Sequence, residues 1–187
     1  MKSTYIIYLI GHPGTGKYTI AKELAQHNFI ICDNQLINNP IFSLLNYDGL
    51  TKIPAFAWRA IGGIRNAILD FLATKDDQNY VLTNCLYEAA GDRKCYVQVK
   101  NMASQRGSLF VPVKLMISEA ENLKRITEPS RRERWKSIDP KDVLSQRKKL
   151  INIEHPHLLT LDVSELSAMV AAERILEHVA RLQKIEK

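Results

Sequence analysis

Apolar runs and helical periodicities alternate along this chain. TYIIYLI (4–10) is a near-continuous apolar run that predicts a buried strand, and the pattern from Lys17 to His27 predicts a helix after it. NFIICD (28–33) reads as a second strand closed by an acid. From Asn34 to Lys75 the pattern is helical, interrupted near Asp48–Pro54, with Ile61, Ile64, Ile68 and Leu72 recurring every three or four positions. YVLTNCLY (80–87), LFVPVKLMI (109–117) and HLLTLDV (157–163) read as three further strands. Between them fall helices over Asp92–Arg106 and Glu119–Ile126, the first stopped at Arg106-Gly107. Asp162 and Glu165 have the spacing of a capping box for a last helix, which would put Leu166, Met169, Val170, Leu176 and Val179 largely on one face.

Apolar strands separated by helices predict an α/β protein, a three-layer doubly wound parallel sheet of about five strands. No repeat, low-complexity tract or linker divides the sequence, so residues 1–187 are expected to form one domain. No apolar run approaches the roughly 18 residues of a membrane span. YIIYLI follows a lysine but leads into a Gly-rich motif, where a secretory signal would have a small-residue cleavage site. Cys32, Cys85 and Cys95 have neither disulfide-framework density nor metal-ligand spacing, and a reducing cytoplasmic setting is expected.

Charge changes the picture at one place. The net charge is +6, and the window 124–149 holds ten Lys/Arg against four Asp/Glu, while the rest of the chain balances sixteen against sixteen. Such a run is a solvated helix face, a clamp for phosphate esters or a nucleic-acid footprint. No aromatic residues interleave with it as a stacking platform, so nucleic acid is not the expected partner.

The motif that decides is Gly11-His12-Pro13-Gly14-Thr15-Gly16-Lys17, a G-x-x-x-x-G-K loop placed after a buried strand and opening a helix. Its glycines permit close backbone approach. The successive N–H groups form an anion nest, and the helix N-terminus adds a favourable dipole. Lys17 is positioned to meet the terminal phosphates of a nucleotide. The motif calls for Ser or Thr next, but residue 18 is Tyr. The missing hydroxyl is a direct magnesium ligand, and Thr19 is rotated by about 100° around the helix. Phosphate binding by Gly11–Thr19, Tyr18 included, is therefore expected, whereas the use of Mg2+ is in doubt and the metal ligands are unassigned.

GHPGTGKYTIAKELA resembles the opening of the small P-loop kinases, a group that includes shikimate kinase, gluconate kinase, chloramphenicol phosphotransferase and the nucleoside monophosphate kinases. VPVKLMISEAENLKRI is similar to their fourth strand and next helix, which lead into an Arg-bearing lid. HPHLLTLDVSELSAMVAAERILEHV is similar to their last strand and helix, whose connecting loop lies against adenine. The resemblance covers nearly the whole chain in the correct order. No N-K-x-D appears, which disfavours a GTPase.

The resemblance implies ATP as the nucleotide and a small hydroxylated metabolite as acceptor. It also implies a lid over approximately 127–140. Asp33, ending the second strand, becomes the candidate base or orienting carboxylate, with helix capping as its competing role. Arg125 and Arg131 are expected to stabilise the transferring phosphoryl group, with Arg132 also at the nucleotide. Asn84 and Trp58 are candidates for the acceptor pocket, Trp58 being equally interpretable as core. Arg65 and Asp70 read as solvated helix surface, and Lys141 and Arg147–Lys149 likewise. Two other readings stand beside the kinase: a nucleotide-binding regulatory module without phosphoryl transfer, and a kinase acting on polynucleotides.

Lys17→Ala is expected to weaken ATP binding more than it disturbs folding. A hydrogen bond to a charged group contributes about 1.5–3 kcal/mol, so the loss should be on the order of 10- to 100-fold. Titration calorimetry of the two folded proteins checks it, and equal affinities would remove Lys17 from the site.

Overall fold

A computed structural model describes residues 4–128, 131, 133, 135–144 and 148–185. Five parallel strands form one sheet: β1 (Tyr5–Gly11), β2 (Phe29–Cys32), β3 (Asn79–Asn84), β4 (Leu109–Met116) and β5 (Leu159–Asp162). Their order is β2-β3-β1-β4-β5. β1 lies at the centre, with Ile7 opposite Val81 on one side and Val111 on the other. Every residue of β1 is buried, which is why its sequence shows an unbroken apolar run instead of alternation.

The alternation reappears in what each residue touches. Tyr5, Ile7 and Leu9 share a core with Ile20 and Leu24 of α1 (Lys17–Ala25) and Ile175 of α7 (Ala168–Ile185). Ile6, Tyr8 and Ile10 face the other way, toward Leu69 and Leu72 of α3 (Ala55–Thr74) and Val99 and Met102 of α4 (Ala90–Gln105). The sheet is thus covered on both faces, as the sequence pattern predicts. A smaller apolar cluster, built on Ile37 and Phe42 of α2 (Asn34–Leu44) and Ile53, Ala57 and Ile61, joins α2 to α3. Strand order reverses at β1, so the crevice at its C-terminal end is where an open α/β sheet gathers ligands. Gly11 ends that strand.

Several boundaries differ from the sequence reading, and three of them have a visible cause or bear on the faces of the core. β3 stops at Asn84, because the residues beyond it turn away to pair with a later segment. Ile151 N donates to Leu86 O at 3.0 Å and Glu88 N to Lys149 O at 3.1 Å. The last helix begins at Ala168, several residues after the expected capping box. Asp162 Oδ1 is occupied by the backbone N–H and hydroxyl of Ser164, at 2.9 and 2.6 Å, and Ser167 Oγ accepts from Val170 N. The buried face of α7 is accordingly Ala171, Ala172, Ile175, Val179 and Leu182, with Met169 exposed. The third boundary is at α4, which begins at Ala90, two residues earlier than expected. The short α6 (Lys141–Leu144) and α5 (Glu119–Ile126) flank the segment in which 129, 130, 132 and 134 lie outside the described residues.

Ile175 is fully buried where α7 packs against α1 and the sheet. Ile175→Ala should lower unfolding stability by about 2–5 kcal/mol, through lost burial plus a cavity. Urea unfolding at constant m-value reads this directly, and a change under about 0.5 kcal/mol would mean the site collapses freely.

Candidate active site

The loop leaving β1 has a geometry that few residues other than glycine tolerate. A Cβ on Gly11 would sit 2.9 Å from Thr15 Oγ1 and 3.0 Å from Leu115 O. Gly14 has φ +87°, and a Cβ there would approach Asn122 Nδ2 to 2.8 Å. Asn122, fully buried on α5, donates to Pro13 O at 2.7 Å and holds the loop from behind. Gly16, left-handed at φ 79°, occupies the N-cap of α1 with no side-chain capping bond. The first helical bond there runs from Ile20 N to Gly16 O at 3.0 Å, so the amides of Lys17, Tyr18 and Thr19 precede the ladder and form the helix's positive end.

The Lys17 ammonium donates to the carbonyls of Gly11 and His12, each at 2.7 Å, and lies 3.3 Å from Thr15 Oγ1. Burial, together with repulsion from Lys136 and Arg131 and partly offset by Cys85, pushes its pKa down to about 8. His12 is buried, its Nδ1 has no hydrogen-bond partner, and its ring lies 5.8 Å from that of Tyr87. Burial, then the nearby charges of Lys17 and Lys114, lowers the imidazole pKa to about 4, so His12 is neutral near pH 7.

Beyond the loop opens a cavity of about 790 Å³. Pro13 through Ile20 with Lys22 form one wall, and Asp33, Asn34, Gln35, Thr83, Asn84 and Cys85 form another, at the C-terminal ends of β2 and β3. Asp33 is buried and caps α2, its Oδ1 accepting from Leu36 N at 3.0 Å. Capping and cavity lining are thus combined in one residue. Asn84 Nδ2 donates to Tyr8 Oη at 3.1 Å, and its Oδ1 accepts from Cys85 N. Burial pushes the Tyr8 hydroxyl well above its ordinary pKa, which keeps it a neutral partner.

Arg125 and Arg131 both line the cavity, and both are already engaged. Arg125 Nη2 donates to Val163 O and Ser164 O, at 3.2 and 3.1 Å, and its Nε to Glu121 Oε1 at 2.8 Å. Arg131 directs Nε and Nη2 at Ser137 O, at 3.0 and 2.8 Å. Arg132 lies outside the described residues. Trp58 is not brought to the cavity: it is 47% exposed and packs edge-on against Phe42 at 5.9 Å. Arg65, expected on a solvated face, is instead half-buried and donates to Cys95 Sγ at 3.4 Å, whereas Asp70 is exposed as expected.

No protein-family model and no curated protein sequence matches the chain. Its likeness is to solved structures. A gluconokinase from Sinorhizobium meliloti superposes with a TM-score of 0.66 at 15% identity, covering 97% of this chain and 95% of that one. Shikimate kinase from Acinetobacter baumannii, in complex with shikimate, gives 0.53 at 17% identity, over 95% and 94% of the two chains. An APS kinase from Mycobacterium tuberculosis, in complex with AMPPNP and APS, gives 0.55 at 13% identity, over 96% and 99%. The chain has the small P-loop kinase fold.

Within this P-loop fold, four side chains were not singled out by the sequence as site residues. Asn122 braces the loop, Thr83 Oγ1 accepts from Asn34 N at 3.1 Å, and Cys85 and Lys136 line the cavity. Only the position of Thr83 and Cys85 at a strand's C-terminal end carried a usable signal. The Tyr18 ring lies 5.1 Å from the Lys136 ammonium and 5.7 Å from that of Lys22. Thr19 is exposed, and the fully buried Thr15 hydroxyl donates to His12 O at 2.9 Å. Among the described residues no three His, Cys, Asp or Glu side chains converge as a cation site. These residues do not fit a magnesium ion ligated by the side chain after the P-loop lysine.

The lowered Lys17 pKa makes anion binding pH-dependent. Lys17 is charged below about 8 and loses its proton above. An anion stabilises the charged form, so binding above that pH must take up a proton. ATP affinity should therefore fall as pH rises from 7.5 to 9.5, by on the order of tenfold, with proton uptake visible as a buffer-dependent enthalpy. Lys17→Arg, permanently charged, should flatten the profile. An unchanged slope in that variant would assign the titration to another group.

Proposed function

We propose that this protein binds ATP and transfers its γ-phosphoryl group to a hydroxyl of a small metabolite, working as one domain over residues 1–187 in the cytoplasm. The single observation that supports this most is that one cavity is bounded both by the P-loop with Lys17 and by the buried carboxylate of Asp33. The first is chemistry for phosphate and the second for an acceptor proton. The likeness to kinase folds agrees with it. Cys32, Cys85 and Cys95 are not joined in a disulfide, which suits a reducing compartment, and no helix among the described residues is long and apolar enough to cross a membrane.

The transfer requires each group to act on a particular atom. The acceptor oxygen forms a bond to the γ-phosphorus as the bond to the β,γ-bridging oxygen breaks, and ADP carries away that electron pair. Asp33 takes the acceptor proton through the carboxylate oxygen not engaged by Leu36 N. Lys17 and the loop amides hold the phosphate oxygens, and their positive charge offsets what accumulates on the leaving group. The segment over 127–140 serves as a lid that carries Arg131 to the triphosphate and excludes water, while Arg125 holds the β5–α7 connection beside the P-loop. Asn84 and Thr83 line the acceptor side; Trp58 acts only through the packing of α2 on α3.

The second reading, nucleotide binding without transfer, is favoured by one observation: Tyr18 stands where a metal-binding hydroxyl is called for, with lysines over its ring.

Asp33→Asn separates these readings. Asn caps a helix about as well as Asp, so stability should hold within about 0.5 kcal/mol. Removing a general base should lower turnover on the order of 10²- to 10⁴-fold. ADP formation across a panel of polyols, sugar acids and amino alcohols measures this. Wild-type turnover by the variant would discard Asp33 as base; ATP binding with no ADP formed by the wild type would leave the second reading.

A further inference from the structure

The disagreement between residue 18 and magnesium points to a replacement. Lys136 reaches the same cavity as Lys17 from the 127–140 segment, and its ammonium is held over the Tyr18 ring at 5.1 Å. An aromatic face attracts a cation and fixes its place. The second lysine on that ring, Lys22, is exposed, whereas Lys136 is half-buried and close enough to Lys17 to contribute to its lowered pKa. Two ammonium groups beside position 18 make it electrostatically unfavourable for a divalent cation, and favourable for phosphate oxygens. The carboxylates lining the cavity, Asp33, Glu128 and Glu133, form no three-membered cluster among the described residues.

We propose that Lys136, seated on the Tyr18 ring, supplies to the bound triphosphate the positive charge that a side-chain-ligated magnesium ion would supply at a Ser or Thr in position 18. Tyr18 is then a positioning residue, a platform for a lysine, and the departure from the loop pattern and the lysine form one device. Triphosphate binding becomes weakly dependent on magnesium. The lysine belongs to the protein and stands at the cavity already, where a metal would travel with the nucleotide. This inference rests on the ATP-binding reading above but not on phosphoryl transfer.

Calorimetric titration of the full chain with ATP, in excess Mg2+ and in EDTA, tests it. Wild-type affinity should differ less than about threefold between the two buffers. Lys136→Gln should lose on the order of tenfold or more in EDTA, the range expected for one charge-assisted hydrogen bond, and less in Mg2+. Lys136→Arg should keep the wild-type pattern. Tyr18→Ser, which removes the platform and adds a hydroxyl, should make binding clearly stronger in Mg2+ than in EDTA. Thermal unfolding of each variant without ligand separates a folding defect from a binding one. Wild-type binding that collapses in EDTA, or a Lys136→Gln loss of equal size in both buffers, would overturn the proposal while leaving ATP binding intact. Absence of ATP binding in both buffers would instead overturn the nucleotide reading and this inference with it.

Discussion

Lys17 places an ammonium group 2.7 Å from each of two loop carbonyls, at the end of a strand with no exposed residue, and much of the molecule serves that arrangement. A charge so poorly solvated is costly unless dipoles surround it. Here they are backbone dipoles, which require the chain to double back tightly after β1. The turn requires Gly11, where Leu115 O and Thr15 stand too close for a Cβ, and Gly14, whose φ is +87°. Asn122 then ties Pro13 from α5, so a helix more than a hundred residues away fixes the loop's shape. β1 itself is held between β3 and β4, and its two faces divide the core between α1 with α7 and α3 with α4. The layered fold holds the loop in this shape, and the loop's carbonyls hold the ammonium at the cavity wall.

What the sequence made legible follows from which interactions are local. The strand YIIYLI and the loop GHPGTGK are contiguous, and their chemistry is readable because period and spacing express it directly. The doubly wound sheet was legible for the same reason. Asp33 was legible at the end of an apolar run, and its double role as cap and cavity wall was foreseeable. Met169 was misplaced because Asp162 spends its carboxylate on Ser164, so the last helix starts later and turns a different face inward. Trp58 was ambiguous, and the ambiguity was real: an aromatic at helical spacing packs on Phe42 as readily as it lines a pocket. Asn122, Arg65 and Lys136 were not legible. Each acts on a partner remote in sequence, Pro13, Cys95 and Tyr18 respectively, and nothing in its own neighbourhood distinguishes it from a surface polar residue.

The basic window shows how a charge run divides once it folds. Lys141, Lys148 and Lys149 are exposed, as a solvated surface predicts, while Arg125, Arg131 and Lys136 line the cavity. For Lys136 the apolar residue beside the charge takes part in this division. Trp135, at φ +48°, packs against the cluster joining α2 to α3, and Ile138 N donates to Gly49 O at 3.4 Å in the loop between those helices. A side chain on Gly49, itself at φ +85°, would meet the Lys136 carbonyl at 3.0 Å. The backbone around Lys136 is therefore held by contacts on the α2–α3 side, and its ammonium is directed the other way, over Tyr18. A cation on a long flexible stem has little positional preference of its own. Its place in this cavity comes from the packing of the tryptophan before it and from the ring beneath it, so the charge at the P-loop is set in part by the wall formed by α2 and α3.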